Sequence, residues 1–514
     1  MNTLKRRVAM QTRAPSAALA ACAGVQERLP ANPACALGPD QDCRHALVDC
    51  EANQRLFDYE QGVRARFTGI VDMLRAISAL QHESDFVQQA QRVALKRLQW
   101  ELPEELLRNA WVRGLDMPAL HAHCQFHAAR QCVRLAAREQ APWRAALPLQ
   151  AQLLAECGFH TVDISPCADG RLQGVVPYVL RMVQDQHVRV KAYAGAMFDV
   201  EVDMADWAQR ELERLNGAFD HLPGAQQGLR YLKVAIYHFS SAHSTQQGCA
   251  FHASNDSQAV EAAAARLDEL RVAIERTYGV GAAPEVLLIG LDTDLDALRI
   301  HLPDGDGDIH PHRYVDTAEL YRESLALDAQ GARLRIAESV DAVQRQDGWG
   351  QGYGSMREGM RRFVLALAEA NLSQIEYVIR HHAGRYAVIG HDEEFVCAGE
   401  PLPDLQLRNL FYFAHLDTVE EGAADLDVGM RIFRALNLRQ GLSVPILVHF
   451  TYSSRVPGAR ARAALRARRV RDAIVARYAA LAGEGLVHCR MALSDREGQE
   501  RCDFLEDPDA GPGH

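Results

Sequence analysis

At 514 residues the chain is too long to wrap around one hydrophobic core, so several domains are expected. A charged fraction of 24% and an apolar fraction of 48% are ordinary for a soluble globular protein, and no run approaches the roughly 18 apolar residues that span a bilayer. The formal net charge of −11 argues against nucleic acid as a partner.

Residues 1–50 are rich in Ala and Pro and hold no period, the composition of a disordered arm. Lys5, Arg6, Arg7, Arg13 and Arg28 against Glu27 make its first part basic, which suits a tether for an acidic partner. Lys5-Arg6-Arg7 followed by Leu19-Ala20-Ala21-Cys22 imitates an export leader, but Gln11, Arg13 and Pro15 break its apolar stretch below the ~7–15 residues a leader needs. The 12 cysteines follow no framework spacing, so reduced thiols are expected.

Over residues 51–145 apolar side chains recur at helical spacing: Leu56, Val63, Phe67, Ile70, Leu74 and Ile77, then Phe86, Val93 and Leu98. A helical domain is predicted there. Its cluster of His121, His123, Cys124 and His127 lacks an accompanying carboxylate and reads as packing rather than a second metal site.

From 146 to 398 the pattern changes. The run 231–238 reads as a strand, 258–277 as an Ala-rich helix and 285–291 as a second buried strand, which implies a parallel sheet covered by helices. Ligands of such sheets lie at the carboxyl ends of strands, and His238 stands where one runs out. Asp304-Gly305-Asp306-Gly307-Asp308 lacks the closing glutamate of a calcium loop and reads as a polar turn. The glycines at 348, 350, 352 and 354 read as a flexible loop.

The chemistry of this region rests on Cys167, His238 and Cys249. Two thiolates and one imidazole are ligands that Zn2+ accepts while keeping a fourth tetrahedral position for water, the composition of a catalytic rather than a structural site. In Cys167-Ala168-Asp169-Gly170-Arg171 the spacing sets a carboxylate and a guanidinium beside the metal. Asp169 is expected to orient the zinc-bound hydroxide, and Arg171 to clamp Asp169 and keep it off the metal. A zinc with an open, water-bearing position reads as the site of a hydrating enzyme, and rapid hydration must also export protons, a task for a histidine near the site mouth; His391 is the candidate, with His160 and His243 behind it.

The last part, 399–514, echoes the preceding one. Ile446 to Phe450 ending in Ser453-Ser454 parallels Val234 to Ser241, and His415-Leu416-Asp417 parallels Cys167-Ala168-Asp169, with no cysteine at the required distance after His449. An internal duplicate that lost its metal is expected. The arginines at 460, 462, 466, 468, 469 and 471 lack interleaved aromatics and read as a solvated helix face, with a phosphate-bearing metabolite or an acidic partner as the alternative.

The stretches SPCADGR (165–171), YHFSS (237–241) followed by Gly248-Cys249, and FAHLDTVEEGAADLDVGMRIF (413–433) resemble the carboxysomal shell carbonic anhydrases, divergent relatives of the β-type enzymes. The resemblance implies an α/β chain. Its helical N-terminal domain precedes a β-carbonic-anhydrase-like catalytic domain and a degenerate, metal-free duplicate. It also implies zinc on Cys167, His238 and Cys249, and Asp169 with Arg171 as catalytic dyad. The implied reaction interconverts CO2 and bicarbonate inside a carboxysome, with Rubisco and shell proteins as partners and a homo-oligomer as the assembly. Hydrolysis of carbonyl sulfide or carbon disulfide at the same site, and a non-catalytic shell organiser with structural zinc, are the competing readings.

Overall fold

The computed structural model describes residues 45–505, apart from 109, 111–113, 140–141, 143–146, 223, 226–227, 245–246, 346–355, 383–385, 387–391, 403–404, 417 and 497–501. His391, the glycine run and nearly all of the basic arm lie outside the described residues.

Four main helices form the amino-terminal part: α1 (Cys50–Phe67), α2 (Ile70–Ala79), α3 (Phe86–Leu98) and α4 (Met117–Glu139). Asp49 starts α1 by accepting the Ala52 N–H at 2.8 Å. The apolar period read from the sequence is the buried stripe as far as Phe86, with Val63, Leu74 and Ile77 fully enclosed; on α3 Val93 and Leu98 are only partly buried, and Ala90 and Ala94 face the core. Much of what encloses it belongs to the far end of the chain. Phe67 stacks on Phe395 with ring centroids 6.2 Å apart, and His121 Nδ1 lies 3.0 Å from Ser443 Oγ, so the helices share one continuous core with the carboxyl-terminal sheet.

The central part is a six-stranded sheet in the order β2-β1-β3-β4-β5-β6. Its strands are β1 (Phe159–Pro166), β2 (Val188–Val190), β3 (Arg230–Phe239), β4 (Glu285–Asp292), β5 (Ala297–Pro303) and β6 (Ile309–Asp316). The first four are mutually parallel, as expected; β5 and β6 return antiparallel, which the sequence did not disclose. Helix α5 (Val200–Leu215) follows β2, and α6 (Asp256–Tyr278) makes the crossover from β3 to β4. Asn255 caps α6, and Ala263, Leu267, Leu270 and Ile274 form its buried face. Helix α7 (Glu358–His382) closes this part.

Between β1, β3 and α5 lies a buried charge cluster. Lys233, fully buried in the apolar run of β3, reaches Asp163 at 3.3 Å, Ser165 Oγ at 2.8 Å and the Asp203 carboxylate, while Lys191 reaches Asp203 at 3.1 Å and also Asp206.

The second sheet has the order β11-β10-β9-β7-β8. It comprises β7 (Phe395–Gly399), β8 (Phe411–His415), β9 (Val444–Tyr452), β10 (Val487–Asp495) and β11 (Asp503–Leu505), with α8 (Val419–Leu436) and the arginine-rich α9 (Ala459–Arg477) between strands. Pair for pair it follows β2, β1, β3, β4 and β5: three parallel pairings, then an antiparallel edge. The hydrogen bonds give the register. Glu400 donates its N–H to His449 O as Cys167 does to Ile236 O, and Ser454 N–H reaches Asp495 as Ser241 N–H reaches Asp292.

That register sets Glu400 where the first sheet has Cys167, and Thr451 where it has His238. The parallels drawn from sequence shift accordingly: His415 ends β8, the counterpart of β2, and His449 answers to Ile236. The Glu400 carboxylate accepts from the Thr451 N–H at 2.8 Å and from its hydroxyl. Among the described residues eight cysteines carry free thiols, as expected, but Cys50 is disulfide-bonded, so the expectation of wholly reduced thiols fails there.

Candidate metal centre

Cys167 stands directly after β1, held by its N–H to Ile236 O at 3.0 Å, and the next N–H, of Ala168, bonds Tyr193 O at 3.0 Å. His238 is one residue from the end of β3 and fully buried. Cys249 follows a loop, and its carbonyl accepts the N–H groups of His252 and Ser254 at 3.1 and 2.9 Å. Three elements distant in sequence thus bring one ligand atom each to within 4.8 Å of one another.

The two sulfurs are 3.9 Å apart, close to the ~3.8 Å that two thiolates ~2.3 Å from a tetrahedral zinc would keep. Their mutual hydrogen bond and burial push the Cys167 thiol well up, while the same bond brings Cys249 down. A divalent ion bound between them would displace their protons and let both be thiolates. The donor set fits zinc. Gly195 adds an N–H to Cys167 Sγ at 3.3 Å.

Asp169 Oδ2 lies 3.8 Å from His238 Nε2, on the edge of the ligand cluster. Arg171 grips both carboxylate oxygens, Nε to Oδ1 at 2.9 Å and Nη2 to Oδ2 at 2.8 Å, and its own N–H bonds Oδ1 at 3.0 Å. Its other face bonds the carbonyls of Gln247 and Gly248 at 2.6 and 3.4 Å, which ties the dyad to the loop carrying Cys249. Burial works against the guanidinium charge, but Asp169 more than offsets it and holds Arg171 above its ordinary value.

Of the histidines read as proton carriers, His160 is buried at the amino end of β1, bonded to Thr161 and Glu211 at 3.0 Å each. Cys167 lies past the other end of that strand, so His160 does not border the site mouth and this candidate is corrected. His243 is exposed on the loop between His238 and Cys249. The α4 histidines pack: the His127 ring stacks on Trp100 at 3.8 Å.

Among the described residues one other group has metal-like spacing, Asp163, Asp203 and Asp206. The ammonium groups of Lys191 and Lys233, with the Arg189 guanidinium 3.5 Å from Asp206, already neutralise it. In the 304–308 loop Asp304 Oδ1 accepts the N–H groups of Asp306 and Asp308 at 3.0 Å, a self-closed turn as predicted. On α9, Arg460 pairs with Asp503 at 2.5 Å and Arg466 lies 4.7 Å over the Phe450 ring, while Arg468 and Arg469 are exposed.

Sequence reading missed the turn between β4 and β5 and the residues behind it. Thr293 Oγ1 lies 3.4 Å from Arg171 Nη1, and Asp294 accepts from Ser240, Ser241 and the Ala242 N–H. From the carboxyl-terminal part, Asp425 accepts the Ala194 N–H at 2.8 Å, and burial pushes its carboxyl up to about 6. The signal available was the alternation Asp292, Asp294, Asp296 inside an otherwise apolar hairpin.

Comparison with known proteins gives a consistent assignment. Family models described as carboxysome shell carbonic anhydrase match the chain in three successive parts: N-terminal over residues 45–137, catalytic domain over 149–391 and C-terminal over 392–509. The carboxysome shell carbonic anhydrase of Halothiobacillus neapolitanus is 42% identical over 468 residues, 91% of either chain. Those of Prochlorococcus marinus and Parasynechococcus marenigrum are each 43% identical, over 90% and 89% of this chain and 88% and 78% of their own.

Proposed function

The chain belongs to the carboxysome shell carbonic anhydrase family, and on that premise we propose that it interconverts CO2 and bicarbonate in the carboxysome with zinc held by Cys167, His238 and Cys249. The observation that carries this reading is the convergence of those three donor atoms within 4.8 Å, with a clamped carboxylate beside them. Zinc supplies the positive charge that brings water into a nucleophilic state near neutral pH.

Asp169 accepts the O–H of the attacking oxygen and so directs its lone pair at the CO2 carbon. Arg171 occupies both Asp169 oxygens in a fork that lysine lacks, and keeps the carboxylate from closing onto the ligand cluster. Two thiolate ligands carry more negative charge than imidazoles would. Hydration therefore climbs through mildly alkaline pH, and a profile flat from about pH 6 to about pH 9 contradicts the assignment.

The second sheet is the metal-free repeat of a β-type catalytic domain, supported by the matching strand order and by the Glu400–Thr451 pair at its ligand positions. The helical part spans 51–145, the catalytic part 146–398 and the repeat 399–514, with β7 already pairing into the second sheet. The basic arm over 1–50 recruits Rubisco or shell proteins, the CO2 released feeds Rubisco, and the chain assembles as a homo-oligomer. His391 carries protons from the site.

Metal analysis with CO2-hydration assays on wild type and Cys167→Ser tests the central reading. Wild type is expected to hold one zinc per chain and hydrate CO2, and the variant to lose both. Hydration by zinc-free protein overturns the reading.

A further inference from the structure

Resting on the carbonic anhydrase reading, we propose that Arg408, carried by the metal-free C-terminal part, is a positioning residue for the Asp169–Arg171 pair. Arg408 lies on the connection from β7 to β8 and is 4% exposed. Its Nη1 donates to Asp296 Oδ1 at 2.7 Å and its Nη2 to Thr293 O at 2.5 Å, and its guanidinium lies 4.0 Å from the Tyr386 ring centroid. Both acceptors belong to the turn between β4 and β5.

That turn faces the dyad. The Thr293 hydroxyl donates to Phe239 O at 3.1 Å, in the backbone next to His238, and accepts from Arg171 Nη1 at 3.4 Å. A second grip is direct: Asn409 donates its N–H to Gly170 O at 2.8 Å, between the two dyad residues. Residues 408 and 409 therefore hold the dyad loop from two sides, one contact direct and one through Thr293.

The turn needs holding. Asp296 has φ +53°, a conformation unfavourable for a residue with a Cβ, and its oxygens are taken by Arg408 on one side and Gln374 Nε2 at 2.9 Å on the other. The Arg408 carbonyl in turn accepts from Arg64 of α1, so parts of the chain matched by all three family models meet at this point. Replacing the fork by a single ammonium releases either Asp296 or the Thr293 carbonyl. The Thr293 hydroxyl then leaves Arg171, whose hold on Asp169 loosens beside the metal ligands.

The test uses full-length, zinc-loaded protein with Arg408→Lys, Thr293→Val and the double variant. Each single substitution is expected to lower kcat and kcat/KM together by about ten-fold or more at full zinc occupancy, the signature of a contact made in the transition state. The double variant is expected to fall no further than the worse single, because both act on Arg171 through one contact. Cobalt-substituted Arg408→Lys is expected to show an altered visible spectrum as Asp169 shifts near the metal, a change a merely structural role would not produce.

Wild-type rates in Thr293→Val, or multiplicative losses in the double variant, overturn the proposal. Thr293→Val keeps both Arg408 contacts and tests the link from the turn to Arg171; should Arg408→Lys not fold, Asp296→Asn, which weakens the Arg408 grip with Arg408 in place, is expected to lower kcat as Thr293→Val does, and wild-type rates in it overturn the proposal. Absence of hydration in the wild type would instead sink the functional reading, and the cobalt spectrum would still decide for or against Arg408.

Discussion

Gly195 packs tightly beside the Cys167 sulfur. Its φ of +66° is a conformation glycine adopts freely, its N–H reaches Cys167, and a Cβ there would meet Phe251 at 2.6 Å and His252 Nε2 at 2.9 Å. Phe251 is half exposed and can turn away, whereas His252 is buried, so the backbone must yield. Gly195→Ala is expected to lower zinc affinity and hydration by roughly ten-fold, the effect of losing one supporting contact to a ligand; unchanged zinc retention during dialysis against a chelator would show the N–H to be dispensable.

Asp292, at the end of β4, behaves differently. Burial, then the neighbouring Asp294, push its carboxyl up to about 6. A raised carboxyl contributes stability that is fully present below about pH 4 and is lost as pH rises through about 6. Asparagine keeps the acceptor for the Ser241 and Asp294 N–H groups without the charge. Asp292→Asn is therefore expected to match wild type near about pH 4 and to exceed it by about 1–3 kcal/mol at about pH 7.5. Melting temperatures at the two pH values check this; a parallel offset at both would refute the linkage.

At the scale of elements, Lys233 shows where the charge cost lies. It interrupts an apolar strand, and its salt-bridge partners come from β1 and α5. Removing one partner of a buried pair leaves the others uncompensated, so Lys233→Met is expected to cost about 3–5 kcal/mol while sparing the metal ligands. A melting temperature within error of wild type would show the cluster contributes nothing.

The same strand marks what the sequence made legible. Its expected span of 231–238 lies within the observed Arg230–Phe239, and α6 within two residues of 258–277, because buried parallel strands and alanine-rich crossover helices write their periods locally. The convergence of Cys167, His238 and Cys249 was foreseeable for a different reason: a metal site constrains residue type, whatever the distance along the chain. The antiparallel return of β5 and β6 was not, since residues such as Arg299, His301, His310 and His312 blur alternation. Nor was the bracing of the dyad, since Thr293 meets Arg171 across 122 positions and Arg408 meets Thr293 across 115.

For the whole molecule, the three parts matched by family models are not three independently stabilised bodies. The apolar stripe of α1 and α2 is buried in one core with β7 to β10; the dyad loop and the turn at Thr293 accept hydrogen bonds from Asn409 and Arg408, and the Gly195 segment donates one to Asp425. The carboxyl-terminal sheet, which has Glu400 and Thr451 where the first sheet has Cys167 and His238, thus has a physical part in the site: it supplies the floor against which the Cys167–His238–Cys249 cluster and its neighbours are held.

The catalytic segment 149–391 produced alone would lose those bonds and leave its packing surfaces in water, while the helices 45–137 without 392–505 would expose most of a core stripe. Expressed separately, each is expected to aggregate, with 149–391 binding zinc poorly. Co-expression of 149–391 with both other segments is expected to restore a soluble, zinc-loaded complex, because the contacts joining them are side-chain packing and hydrogen bonds that do not require a continuous chain. Soluble yield and zinc per complex are the measurements. A monomeric, fully active 149–391 fragment would show that the floor is unnecessary, and that the dyad holds its geometry from within its own sheet.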